Sequence, residues 1–206
     1  MKGNKLSQLP TDTRKIKAQI TRYERELRKE YERLRFYDDS SGKRYLIGPL
    51  YLLLDDVAGA VKSFTWFEQM FPEDMGEPAH LLCWTLALYR SGDLVGASNK
   101  LLQTMLSNLY LLPELFGQTQ PRLKIWHGSN IEEETYLQYI PQEIWKLWDA
   151  KALQWAQAQY KRPEFESVHT RYIEIHDQLQ TTPVGTKRSQ LVAEAFALRK
   201  ITPGQV

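Results

Sequence analysis

The sequence predicts an all-α protein: a short α-solenoid of helical hairpins, preceded by an amphipathic helix and followed by a helical extension. Three observations carry this prediction. No segment alternates apolar and polar residues for long, and β-branched residues are scattered, so strand signals are nearly absent. Residues that start helices (Asp, Ser, Thr) and residues that stop them (Gly, Pro) recur along the whole chain. One short pattern also occurs twice, as DVAGAVKSF from Asp56 and as DLVGASNKL from Asp93, a shift of 37 residues.

The elements follow in order. Thr11 or Asp12 caps a helix over residues 12–37, whose apolar residues Ile16, Ile20, Tyr23, Leu27, Tyr31 and Leu34 form one narrow stripe. The turn composition DDSSG from Asp38 ends it, so residues 1–40 read as a basic N-terminal helical segment. Residues 41–116 read as two helix pairs. The first pair is a helix over residues 43–54 and a second, capped by Asp56, that ends near Phe71 and Pro72. In the second pair a helix runs over residues 77–91 to a Gly92 stop, and Asp93 caps a helix extending to Leu111 or Leu112 before Pro113.

Residues 117–131 have loop composition, with a capping box expected from Ser129 and Glu132 or from Asn130 and Glu133. Residues 132–200 are helical throughout, with Pro141, Pro163 and Pro183 each in a first turn, Asp149 as a cap, and Thr182 as the cap before Pro183. A frayed tail follows Lys200, and the whole is expected to form one compact unit.

The doubled pattern has a physical reading. Each Asp satisfies free N–H groups at a helix start. Ala60 and Ala97 lie one turn inside, facing the first helix of each pair, where a small residue permits close approach. Phe64 and Leu101 follow on the same face, Gly48 and Tyr51 answer from the first helix, and Gly59 and Gly96 are read as incidental.

This spacing resembles the tetratricopeptide repeat. The first copy carries Ile47, Gly48, Tyr51, Ala60, Phe64, Phe67 and Pro72 at matching positions, with Arg44 at the early aromatic one. The second keeps Leu81, Trp84, Leu88, Gly92, Asp93, Ala97 and Leu101, with Thr85 in place of a small residue and no terminal proline. A third pair, with Ala152 and Pro163, is degenerate.

The resemblance implies a short right-handed stack. Its concave face would be lined by the first helix of each pair: Tyr45, Pro49, Leu52 and Leu53, then Ala79, Leu82, Leu86, Tyr89 and Arg90. The relatives that grip a chaperone's C-terminal carboxylate place Lys and Asn at such positions, and this chain does not.

Composition bounds the function. Of 206 residues, 42% are hydrophobic and 25% charged, a globular balance. No apolar run approaches the roughly 20 residues of a membrane helix, no secretory signal is expected from the polar, basic start, and a single cysteine, Cys83, suits a reducing, cytoplasmic setting. Charge is uneven: residues 1–44 carry 13 Lys/Arg against 7 Asp/Glu, and residues 45–120 carry 3 against 8.

The candidate sites are therefore interaction surfaces. An apolar groove with Tyr45, Leu52, Leu82, Leu86, Tyr89 and Arg90 would take a peptide or partner helix. It would equally accept the chain's own N-terminal helix, and self-association of that helix as a coiled coil is a further route to burying its stripe. Arg22, Arg25, Arg28 and Lys29 form a basic patch for nucleic acid, but Glu24, Glu26, Glu30 and Glu32 are interleaved. Pairs such as Glu24–Arg28 and Arg28–Glu32 favour a salt-bridged, solvated face.

No metal, cofactor or catalytic constellation is expected. His169 and His176 are seven residues apart, about 10 Å along a helix, too far to share a metal. His80, His127 and Cys83 lack local partners. VGTKRS from Val184 lacks the glycine spacing of a phosphate loop, and Glu132–Glu134 suits a first helical turn. Trp145, Trp148 and Trp155 read as a core stripe. The expected function is a non-catalytic, cytoplasmic adaptor for a protein or peptide. The alternative is a nucleic-acid-associated accessory protein acting through the basic helix.

Overall fold

A computed structural model describes residues 9–201; residues 1–8 and, apart from Ile201, the expected frayed tail lie outside the described residues. Among the described residues the chain is all-helical, with no strand. The α-helices are α1 (Thr13–Leu34), α2 (Ile47–Leu53), α3 (Val57–Met70), α4 (Pro78–Ser91), α5 (Leu94–Ser107), α6 (Leu111–Leu115), α7 (Gln142–Lys146), α8 (Ala150–Tyr160), α9 (Pro163–Thr181) and α10 (Thr186–Arg199).

Asp12 caps α1 by accepting from the amides of Arg14 and Lys15, both at 3.0 Å, and Arg35 ends it in a left-handed conformation at φ 62°. Ile16, Ile20 and Leu27 are buried, and the helix lies against α2. Three of its glutamates turn towards the body of the protein. Glu24 accepts from the Tyr51 hydroxyl at 2.8 Å, Glu26 lies 3.6 Å from Lys43, and Glu30 accepts from the Asp39 amide at 3.2 Å. Among the described residues neither Glu24–Arg28 nor Arg28–Glu32 closes as an ion pair, so the expected salt-bridged face is replaced by acids that hold the helix down.

The expected single helix over residues 43–54 is broken. Lys43–Tyr45 form a 3₁₀ turn, started by the buried Asp39, whose carboxylate accepts from the amides of Lys43 and Arg44 at 2.9 Å each. Pro49 lacks the N–H that would have continued the ladder to the Tyr45 carbonyl. His80 of α4 supplies the missing donor through Nδ1, at 3.1 Å.

The doubled pattern is a pair of caps. Asp56 accepts from the Gly59 amide and Asp93 from the Gly96 amide, each at 2.8 Å. Gly59 is not incidental: a Cβ there would meet the Tyr51 ring at 2.5 Å and Asp56 Oδ2 at 2.7 Å, whereas a Cβ on Gly96 would meet only the exposed Asp93 carboxylate. Gly48 packs so closely that a Cβ there would meet the Phe64 ring at 2.5 Å, while Ala60 and Ala97 are fully buried. Here α4 is central, packed against α2, α3 and α5 and buried from His80 to Ala87.

The fourth expected helix ends early, at Ser107. Asn108 bends the chain: its Oδ1 accepts from the Tyr110 amide at 3.0 Å, and its Nδ2 donates to the carbonyls of Ile131 at 2.7 Å and Glu133 at 3.1 Å. Neither expected capping box forms. Residues 130–132 and 134–139 are 3₁₀ turns, and the Glu132 carboxylate instead accepts from the Gly128 amide at 2.7 Å. Asp149 caps α8 and Pro163 opens α9 as expected. Thr182 ends α9 rather than starting a helix at Pro183, and α10 begins at Thr186.

The loop at 117–130 is tied down. Trp126 and His176 exchange two bonds, amide to carbonyl at 3.0 Å and imidazole Nδ1 to carbonyl at 2.7 Å. Gln180 donates to the Lys124 carbonyl at 2.6 Å, and Arg199 pairs with Glu132 at 2.7 Å.

Candidate docking groove

The expected concave face is mostly not an open surface. Leu52, Leu82 and Leu86 are at most 1% exposed and belong to the core. Tyr45 is half-buried, its hydroxyl donating to Asp74 at 2.6 Å and accepting from Arg44 at 2.8 Å. Tyr89 packs on Trp155 with ring centroids 4.8 Å apart, and Arg90 donates to the Leu147 carbonyl at 2.6 Å, with Asp55 and Asp149 nearby.

The cause is the chain's own C-terminal segment. Tyr136 lies beside Ala79 at the start of α4, and Leu147 and Trp155 meet its end. This segment covers the α4 half of the face, while α1 packs on the 3₁₀ turn and α2 that carry the other half. A residual cavity of about 400 Å³ remains among Tyr45, Pro49, Ala79, His80, Tyr136 and Ile144.

An open groove lies elsewhere. α1 and α3 both flank the short α2 and leave a groove of about 620 Å³ between them. Leu27, Ile47, Tyr51 and Gly59 form its floor, kept low by the missing side chain at Gly59. Tyr31, Tyr37 and Trp66 form one wall: Tyr31 stacks on Tyr37 at 5.0 Å, and Tyr37 meets Trp66 edge-on at 5.5 Å. Phe71 closes behind them, 5.2 Å from Tyr37. Phe36, between two lining residues, is 58% exposed, and Tyr31 and Met70 are each 37% exposed.

The banks carry charge. Arg28, Glu32 and Arg35 line the α1 side and Lys62 the α3 side. Arg28, Arg35 and Lys62 have no ion pair among the described residues, and Glu24 is engaged by Tyr51. Burial, then the bond to Glu24, pushes the Tyr51 phenol up to about 12, so it stays protonated. The expected basic patch is divided: Arg28 faces the groove, and Arg22, Arg25 and Lys29 are exposed outside it.

Sequence reasoning missed Trp66, Tyr37 and Lys62. The available signal was that Trp66 falls off the Ala60–Phe64–Phe67 core face and that Tyr31, Phe36 and Tyr37 crowd one helix end.

Among the described residues no group of three or more His, Cys, Asp or Glu side chains is placed to hold a metal. His80 is buried among Tyr45, Phe64, Phe67 and Trp84, and desolvation lowers its pKa to about 4. Burial raises the Cys83 thiol far above its ordinary range, which leaves it inert. No described helix is long and apolar enough to cross a membrane. Comparison with protein-family models, with curated proteins and with solved structures found no match.

Proposed function

We propose that this chain is a non-catalytic protein-interaction module, built as a short tetratricopeptide-like stack, whose docking surface is the groove between α1 and α3. The observation that carries the reading is an open, aromatic-walled groove of about 620 Å³ that the described residues leave uncovered. Clusters of exposed aromatic residues beside an apolar floor are the usual anchors of protein contacts. The stack itself is supported by the caps at Asp56 and Asp93 and by the close approach at Gly48. The C-terminal segment takes the place of a ligand on the α4 face. A buried, unpaired Cys83 suits work in the cytoplasm.

Selection of a random 16-residue peptide library on the immobilised protein tests the reading. Peptides retained by the wild type and by Phe196→Ala, an exposed site on α10, are expected to be lost on Trp66→Ala. Enrichment that ignores Trp66, or no enrichment, would sink it. Nucleic-acid binding through Arg22, Arg25 and Lys29 is the competing reading, since these exposed cations have no ion pair among the described residues.

A further inference from the structure

We propose that the occupant of the α1/α3 groove is an amphipathic helix of a partner protein whose apolar stripe is flanked by Asp and Glu, an inference that rests on the docking reading above. The groove follows α1 from Glu24 to Arg35, a length of about 17 Å at the rise of an α-helix, or three helical turns. Three turns present anchors at i, i+3 or i+4, and i+7, enough to fill a trough floored by Leu27, Ile47 and Tyr51.

Charge then selects the flanks. Arg28 and Arg35 stand on one bank and Lys62 on the other, so a helix lying between them meets cations on both sides. Glu24 accepts from Tyr51 at 2.8 Å, and neither Glu24 nor Glu32 has an ion pair among the described residues, so the lining sets three cations against two acids.

The helix that forms one bank has the same sign: α1 carries eight Lys/Arg against four Glu. Such an arrangement steers acidic partners and sets against basic ones.

A nucleic acid fits the groove less well. Base stacking needs open ring faces, yet Tyr31 and Tyr37 are stacked on each other, and Tyr37 lies perpendicular to Trp66. A floor of Leu27 and Ile47 offers phosphates nothing.

The test uses two synthetic 18-residue peptides with the same Leu/Phe stripe at i, i+3, i+4 and i+7, one flanked by Glu and one by Lys, titrated by fluorescence anisotropy into the full chain. The Glu-flanked peptide is expected to bind at least tenfold tighter, and Arg28→Glu with Lys62→Glu should reverse that order. A 12-nucleotide single strand should not displace it. Equal or reversed preference in the wild type overturns the inference, as does binding by neither peptide. In both cases the docking reading stands or falls separately on the Trp66-dependent library. Displacement by the oligonucleotide, lost in the double charge reversal, overturns both in favour of nucleic acid.

Discussion

His80 Nδ1 donates to the carbonyl of Tyr45 at 3.1 Å, the carbonyl that Pro49 leaves without its helical partner. The bond fixes the neutral imidazole with its proton on Nδ1, and burial holds the pKa down to about 4. The unfolded chain has an ordinary histidine near 6.5. Because the folded pKa is depressed, the stability this residue contributes is present above pH 6.5 and is lost as pH falls towards 4, by about 3 kcal/mol in all. Urea unfolding of wild type and His80→Asn, measured between pH 7 and pH 4, should give a shallower slope for the variant. Parallel slopes would show that His80 is not the titrating group.

Gly59→Ala and Gly96→Ala should differ, although both replace a helical glycine beside an Asp cap. At Gly96 the added methyl meets the exposed Asp93 carboxylate, and loss of the cap, about 1 kcal/mol, is offset by a similar gain in helix propensity. At Gly59 it also meets the Tyr51 ring at 2.5 Å, packed in the groove floor. Thermal melts should therefore show a lower Tm for Gly59→Ala and little change for Gly96→Ala; equal shifts would contradict the close packing of Gly59 on the Tyr51 ring.

Leu82→Ala should cost about 2–5 kcal/mol, the range for a fully buried leucine. A residue on an open concave surface would cost far less. A denaturation midpoint close to wild type would mean that the C-terminal segment does not cover α4.

Arg199→Met should loosen the 123–132 loop without unfolding the protein. It removes the ion pair to Glu132 and the bond to the Tyr172 hydroxyl, both largely buried, at a cost of about 2–3 kcal/mol. Hydrogen exchange at Trp126 and Gly128 should accelerate well beyond that in α4. Uniform acceleration throughout the chain would argue against a local clamp.

Much of the fold was legible along the chain, and for one reason. The caps at Asp12, Asp56, Asp93 and Asp149 and the Gly92 stop act within about four residues of themselves. Local errors arose where a distant group replaced a local one. His80 rescues the break at Pro49, and Asn108 bends towards Ile131 and Glu133 instead of extending its helix.

The site was less legible. Tyr45, Leu82 and Arg90 carry the composition of a groove, but Arg90 is claimed by Leu147 and Tyr89 by Trp155, more than fifty residues away. Burial of apolar surface is non-directional, so an amphipathic stripe states that it will be covered and not by what. The helices, most of their caps and the small residue that permits close approach at Gly48 were thus written in the residues themselves. Which face the C-terminal segment closes, and which groove stays open beside Trp66, depended on long-range packing that no spacing encodes.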